Sequence, residues 1–153
     1  MAERETGMRL TTYTDYSLRV LMYVSLKNGE KATIKEICDS YKISRNHVMK
    51  IVYELGLAGL LSTSRGVTGG ILLAKKPEEI SLRDVMLITE PDFKIAECFD
   101  CGESECPLVG NCELNKTLNT GLKAFLDVMG RVTIADLVKS KGTLTRLLNL
   151  PGF

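Results

Sequence analysis

Four of the five cysteines in this chain lie within fifteen residues, in the segment ECFDCGESECPLVGNC at positions 97–112. They are Cys98, Cys101, Cys106 and Cys112. Thiolates spaced a few residues apart on an irregular loop can converge on one soft metal ion or cluster. Three kinds of site fit this pattern: a structural zinc with four tetrahedral ligands, an iron–sulfur cluster, and a thiol redox switch built on the pair Cys98 and Cys101. Spacing alone does not separate them.

The residues around these cysteines are strongly acidic. From Glu90 to Glu113 the sequence contains seven acidic residues and one lysine. Acidic neighbours disfavour the thiolate form of a free cysteine, which argues against a reactive thiol switch. The same charges would repel a polyanion, so the loop is not expected to contact DNA.

Charge is unevenly distributed along the chain, although its net value is only +1. Residues 1–76 carry a net charge of +5 and residues 77–153 a net charge of −4. A basic half suits a polyanionic partner such as nucleic acid. The polar start of the sequence has no secretory h-region, and no apolar run reaches the length of a membrane span. With an odd number of cysteines, this favours a soluble protein of the reducing cytoplasm, without a membrane partner.

Hydrophobic periodicity and turn residues predict a mostly α-helical chain with one small β-hairpin. Helices are expected over residues 14–27 with Thr14 as N-cap, after the capping-box pair Thr33 and Glu36, and after Ser44. Two short apolar segments, 60–62 and 71–74, flank a turn rich in Gly and Ser, which is typical of a hairpin. Further helices are expected after Ser81, over 113–130, and over the segment TIADLV.

The order of these elements is that of a winged helix-turn-helix domain, which we assign to residues 8–90. The third helix is the one expected in the DNA major groove. Residues on its polar face and at the tip of the wing are able to donate to phosphates or base edges. The candidate DNA contacts are Arg45, Asn46, His47 and Lys50 on the helix and Arg65 on the wing. Residues 91–112 form the cysteine-rich loop.

The helix predicted over 113–130 has a single narrow apolar stripe, spaced every three or four residues. Its members are Leu114, Leu118, Leu122, Phe125 and Met129. In a chain this small such a stripe needs a second surface, and a twin helix from another subunit is the simplest one. Packing on its own domain is the alternative. We therefore assign residues 113–150 to a dimerisation helix and a C-terminal helix, and expect a homodimer.

Several segments resemble the NsrR group, the nitric-oxide-sensing branch of the IscR/NsrR/RirA superfamily of winged-helix iron–sulfur regulators. They are MRLTTYTDYSLRVLMYVS, SRNHVMKIV, RGVTGGILL, the ECFD…CPLVGNCELN loop and AFLDVMGRVTIADLV, and together they extend from about residue 8 to 138. The resemblance implies a homodimeric repressor of a palindromic double-stranded operator, with one iron–sulfur cluster per subunit, of the 2Fe-2S or 4Fe-4S type. Nitric oxide would destroy the cluster and release the DNA.

The resemblance also implies a ligand set. Matched onto this sequence, the cluster ligands would be Cys98, Cys106 and Cys112, with Cys101 as the alternative to Cys98. The ECFD context favours Cys98. A fourth ligand would be Asp15 of the partner subunit. The competing interpretation of Asp15 is an acidic residue in a first helical turn, where the helix dipole favours it.

Other functional classes fit less well. The chain has one histidine and lacks the GxSxG, HExxH and GK[ST] motifs, so we do not expect an enzyme. Two alternatives keep the DNA-binding half. One is the same fold sensing iron–sulfur, iron or redox status, as in IscR-like and RirA-like relatives; the other is a DNA-binding protein with a structural zinc.

Overall fold

The computed structural model describes residues 9–99, 105–108 and 110–150, and within these ranges the chain forms seven α-helices and one two-stranded antiparallel sheet. The elements are α1 (Thr12–Leu26), α2 (Ile34–Tyr41), α3 (Arg45–Leu57), β1 (Leu61–Ser64), β2 (Gly70–Leu73), α4 (Leu82–Thr89), α5 (Glu113–Arg131), α6 (Ile134–Leu137) and α7 (Lys141–Leu147). Short 3-10 turns occupy Pro77–Glu79 and Glu97–Phe99. The predicted fold class, mostly α with a small hairpin, is confirmed.

Most of the helices begin at a side-chain cap that the sequence predicts. In the capping box before α2, Thr33 accepts from the Glu36 backbone at 3.2 Å and its own N–H donates to the Glu36 carboxylate at 2.6 Å. Ser44 accepts from the His47 N–H at the start of α3. Ser81 forms the equivalent box before α4. Each cap satisfies backbone donors that a helix start otherwise leaves without a partner.

The prediction that Thr14 caps the first helix is wrong. Helix α1 begins at Thr12, and its N-cap is Thr11, whose hydroxyl accepts from the Thr14 N–H at 3.1 Å. Thr14 is fully buried one turn into the helix. Its hydroxyl shares a 2.8 Å hydrogen bond with that of Thr89 on α4, so packing against α4 decided its place.

The core is built around α1. Val20, Leu21 and Tyr23 of this helix are fully buried, and α1 contacts α2, α3, α4, α6 and β2. Helix α3 adds the buried face predicted for it: Val48, Ile51, Val52 and Leu55. Because that face is apolar, the opposite face of α3 must point to solvent.

The wing consists of β1 and β2, paired from Leu61 opposite Leu73 to Ser64 opposite Gly70. It is shifted by one or two residues from the predicted strands. The sheet is docked on the domain by a bridge between Ala32 and Ile71, with two backbone hydrogen bonds of 2.8 and 2.9 Å. This docking requires a close approach of the chain at Gly70, where a Cβ atom would lie 2.7 Å from the Cβ of Lys31.

The C-terminal part returns to the core after the long helix. Helix α5 packs on α4 but none of its residues is fully buried in the single chain. In the predicted apolar stripe, Leu114 and Phe125 are exposed and the other three residues are half-buried. Helix α6 is capped by Thr133 and held by the hydrogen bond from the Ile134 N–H to the Ile80 carbonyl. Helix α7 was not predicted as a separate element. The Ser40 hydroxyl donates to the Leu148 carbonyl just after it.

Replacement of Gly70 by Ala is expected to destabilise the protein by about 1–3 kcal/mol, the usual cost of forcing an extra methyl group into a tight contact. The control is Gly142→Ala in α7, where an added Cβ meets no atom within 4 Å. That control should leave stability unchanged or raise it by up to about 1 kcal/mol. Urea unfolding of both variants at one protein concentration measures the difference. Equal midpoints would contradict the docking of the wing through Gly70.

Candidate nucleic-acid interface and cysteine loop

The four candidate DNA-contacting residues on α3 all lie on its exposed side. Arg45, Asn46 and His47 form the first turn, and Lys50 follows one turn later. The buried side of the helix anchors it to α1 and α2, so these side chains project from a rigid support. A helix presented in this way offers its N-terminal residues to a DNA groove.

His47 is held in place at the start of α3. Its Nδ1 atom lies 3.1 Å from the Ser44 hydroxyl, the same group that caps the helix. Its ring also lies against Tyr16 of α1, with centroids 5.9 Å apart and a 60° angle between the planes. These contacts restrict the ring and leave its other nitrogen as the polar group available to a partner.

Lys50 belongs to a small polar group that joins α1 to α3. Its ammonium lies 5.4 Å from the centre of the Tyr13 ring and 3.9 Å from the Glu54 carboxylate. The Tyr13 hydroxyl donates to that carboxylate at 2.8 Å. Burial, together with the Glu54 carboxylate, raises the pKa of Tyr13 above its ordinary range. The sequence analysis did not identify Tyr13, because only the packing of α1 on α3 brings it to this face.

The wing presents Arg65 just after β1, at an exposed position. A lysine from outside the wing contacts this turn: the Lys31 ammonium donates to the Thr68 carbonyl at 2.7 Å. The sequence analysis missed Lys31, which precedes Thr68 by 37 residues in the chain. This hydrogen bond joins the loop that carries Arg65 to the segment just before α2.

The cysteine loop brings Cys98 and Cys112 to the start of α5. Cys98 lies in the 3-10 turn Glu97–Phe99, and Cys112 is the N-cap residue of α5, without a side-chain capping bond. The Asn115 amide donates to the Cys98 carbonyl at 3.4 Å, and the Glu105 N–H donates to the Glu97 carboxylate at 3.0 Å. Cys98, Cys106 and Cys112 are all partly exposed.

The described cysteines do not form a closed ligand cage. Within the described ranges, no group of three or more His, Cys, Asp or Glu side chains is placed to hold a metal ion. Cys101 lies outside the described residues. The residue types nevertheless fit a thiophilic group, because Cys98, Cys106 and Cys112 each supply a partly exposed sulfur atom and Cys112 stands at a helix start, where partial positive charge favours an anion.

Asp15 lies in the first turn of α1, at a half-exposed position. The structure pairs it with Arg19 of the same chain, whose guanidinium donates to both carboxylate oxygens at 2.7 and 3.2 Å. This arrangement agrees with an acidic residue near a helix N-terminus. The predicted role of Asp15 as a ligand in the other subunit stays a prediction.

Cys38 lies apart from this loop, on α2. It is partly buried against the hydrophobic core. Burial raises the pKa of its thiol, which lowers its reactivity.

Comparison with known proteins decides the family. The profile of Rrf2, described as "Iron-dependent Transcriptional regulator", matches residues 10–140. The chain belongs to the Rrf2 family. It is 46% identical over 143 residues to the HTH-type transcriptional regulator NsrR of Bacillus licheniformis, a match that covers 93% of this chain and 100% of that protein. The NsrR of Bacillus subtilis is 45% identical over 144 residues, covering 94% and 99%. The resemblance to NsrR is therefore confirmed.

Solved structures of the family share the fold. Staphylococcus aureus CymR matches with a TM-score of 0.66 and 26% identity, over 84% of this chain and 97% of that one. T. potens IscR matches with a TM-score of 0.69 and 22% identity, over 88% of both chains. Both of these NsrR proteins are named as transcriptional regulators. None of the helices in the described ranges has the length and apolar character needed to cross a membrane.

Replacement of Tyr13 by Phe is expected to lower the free energy of unfolding by about 1 kcal/mol, through loss of the hydrogen bond to Glu54. Because folding raises the pKa of Tyr13, this group contributes stability that is complete below pH 10 and is lost as the pH rises above it. The variant should therefore lose less stability than the parent between pH 9 and pH 11. Tyr53→Phe, at an exposed position, is the control. Identical alkaline profiles for parent and Tyr13→Phe would rule out the Tyr13–Glu54 contact.

Proposed function

We propose that this protein is a homodimeric transcriptional repressor that binds a palindromic operator and senses nitric oxide through an iron–sulfur cluster. The observation that carries the proposal is the 41–46% identity, over most of the chain, to several proteins named NsrR. The proposal places the protein in the cytoplasm, where thiol-bound clusters and DNA are both accessible.

DNA binding is assigned to the exposed face of α3 and to the wing. Arg45, Asn46, His47 and Lys50 contact the major groove and its phosphates, and Arg65 enters the neighbouring minor groove. Two features support this assignment: α3 is anchored by its apolar face, and Lys31 braces the wing.

Dimerisation is assigned to α5. Leu114, Phe125 and Val128 are exposed on this helix, although each is large and apolar. A second copy of α5 would cover these exposed apolar side chains. In a two-fold dimer the two α3 helices face half-sites about one helical turn of DNA apart.

The sensing group is assigned to Cys98, Cys106 and Cys112, with Asp15 of the partner subunit as a fourth ligand. When bound, an iron–sulfur cluster supplies iron that takes up nitric oxide. Cys112 is the N-cap of α5, and Asn115 in the next turn donates to the Cys98 carbonyl. A ligand shared by these thiols would therefore lie at the start of the helix assigned to dimerisation. Loss of their common ligand loosens that start and alters the spacing of the two α3 helices.

A second candidate keeps the fold and the cluster and changes the signal to iron or iron–sulfur status. The description of the Rrf2 family as iron-dependent favours it. The third candidate is a DNA-binding protein with a structural zinc in place of the cluster. The colour and metal content of the purified protein separate the zinc from the cluster.

Anaerobic purification followed by iron, sulfide and visible-absorption analysis is the first test. We expect a brown protein whose spectrum changes to that of an iron-nitrosyl on titration with nitric oxide, with loss of DNA binding. The iron content per subunit distinguishes the 2Fe-2S from the 4Fe-4S type. A colourless zinc protein that does not respond to nitric oxide would refute the sensor and leave the DNA-binding proposal intact.

The ligand set is tested by single Cys→Ala variants. Replacement of Cys98, Cys106 or Cys112 should abolish the visible absorption, because each removes one of three thiolate ligands. Cys38→Ala on α2 is the matched control and should retain the cluster. Cys101→Ala should also retain it. Loss of absorption in Cys101→Ala together with retention in Cys98→Ala would transfer the first ligand to Cys101.

The DNA interface is tested by Lys50→Gln, with Lys141→Gln on α7 as a control of equal charge change. Lys50→Gln should weaken binding to all duplexes and reduce the slope of log K against log salt by about one per subunit, as for a lost phosphate contact. Unchanged non-specific affinity would remove Lys50 from the interface.

A further inference from the structure

The exposed side of α3 carries an apolar strip that the proposed DNA contacts do not use. The strip consists of Met49, Tyr53 and Leu57, which are 49%, 67% and 73% exposed. They follow one another at intervals of four residues, so they lie along one side of the helix. Large apolar side chains grouped on a surface indicate a contact with a partner.

The strip cannot be buried by a rotation of α3 within its own domain. Ile51 and Leu55 on the opposite side are fully buried, and Val52 is nearly so. Turning the helix would expose these core residues in exchange for the strip. The apolar strip is therefore a fixed feature of the outer face.

The charges beside the strip indicate the chemistry of its partner. Arg45 precedes Met49 by one turn on the same side, and Lys50 lies next to it. Cations at the edge of an apolar strip suit a polyanion that also presents apolar groups. Duplex DNA is such a partner, because thymine places its 5-methyl group in the major groove among the phosphates and base edges.

We propose that Met49 and Tyr53 contact thymine 5-methyl groups in each operator half-site and so contribute to sequence specificity. This inference rests on the proposed binding of DNA through α3. The two residues are about 6 Å apart along the helix axis, which corresponds to about two base-pair steps. Each half-site therefore contains two methyl-dependent thymines about two steps apart. Leu57 ends the helix about 12 Å from Met49 and takes no part in the contact.

The test replaces thymine by deoxyuridine, which removes only the methyl group. Duplexes bound by the full-length protein are first selected from a random pool, and each thymine of the selected site is then replaced in turn. At two positions per half-site, affinity should fall about fourfold, the effect of one buried methyl group. Met49→Ala should bind thymine and deoxyuridine equally at one of these positions, and Tyr53→Ala at the other.

Two control variants separate this effect from general weakening. Lys50→Gln should lower the affinity for both duplexes and preserve their ratio. Leu57 is also apolar and is more exposed than Met49 or Tyr53. Leu57→Ala should therefore preserve both the affinity for DNA and the ratio between the thymine and deoxyuridine duplexes.

The outcomes distinguish the two proposals. Absence of any selected site in the wild-type protein would refute DNA binding through α3 itself. Sequence-specific binding with no cost for deoxyuridine at any position would refute the methyl contact alone. A changed sedimentation coefficient in Met49→Ala or Tyr53→Ala, with the thymine-to-deoxyuridine ratio preserved, would assign the strip to a contact between two copies and overturn the inference.

Discussion

Burial of helix α1 is the interaction on which the rest of the structure depends. Val20, Leu21 and Tyr23 are removed from solvent by elements that come from both ends of the chain. Apolar burial of this kind is the main source of stability in a small domain. Because α3, α4, α6 and the wing all pack on this one helix, their relative positions are set by a shared surface rather than by the loops between them.

Polar contacts at the start of α1 extend this arrangement toward both candidate sites. The Tyr13 hydroxyl bonds to Glu54 on α3, and the Thr14 hydroxyl bonds to Thr89 on α4. Helix α4 in turn packs on α5, whose N-cap residue is Cys112. Helix α5, which follows the cysteine loop, is therefore connected to α3 through α4 and α1. The contact between α4 and α5 lies near the end of α5, where the Arg83 guanidinium is 3.7 Å from the Asp127 carboxylate.

Local features of the fold were the most predictable. The caps formed by Thr33, Ser44 and Ser81 each involve residues within three positions of one another, so short sequence patterns identify them. The error at the first helix has a different origin. Thr11 and Thr14 are both able to cap a helix, and the choice between them depends on the burial of Thr14 against Thr89, which is 75 residues away. Helix α7 was not predicted, because its sequence KGTLTRL contains Gly and Thr, which are poor helix formers.

In the candidate sites, too, local features were predictable from the sequence and contacts between distant residues were not. Periodicity was sufficient to place Arg45 and Lys50 on the outer face of α3, because it identified the apolar side of that helix. It was also sufficient to find the apolar stripe on α5. The spacing of the cysteines is read directly from the sequence. Periodicity could not reveal that Tyr13 lies beneath Lys50, or that Lys31 supports the wing. Caps and helix faces arise from interactions among residues a few positions apart, whereas contacts between distant segments exist only once a common core has brought those segments together.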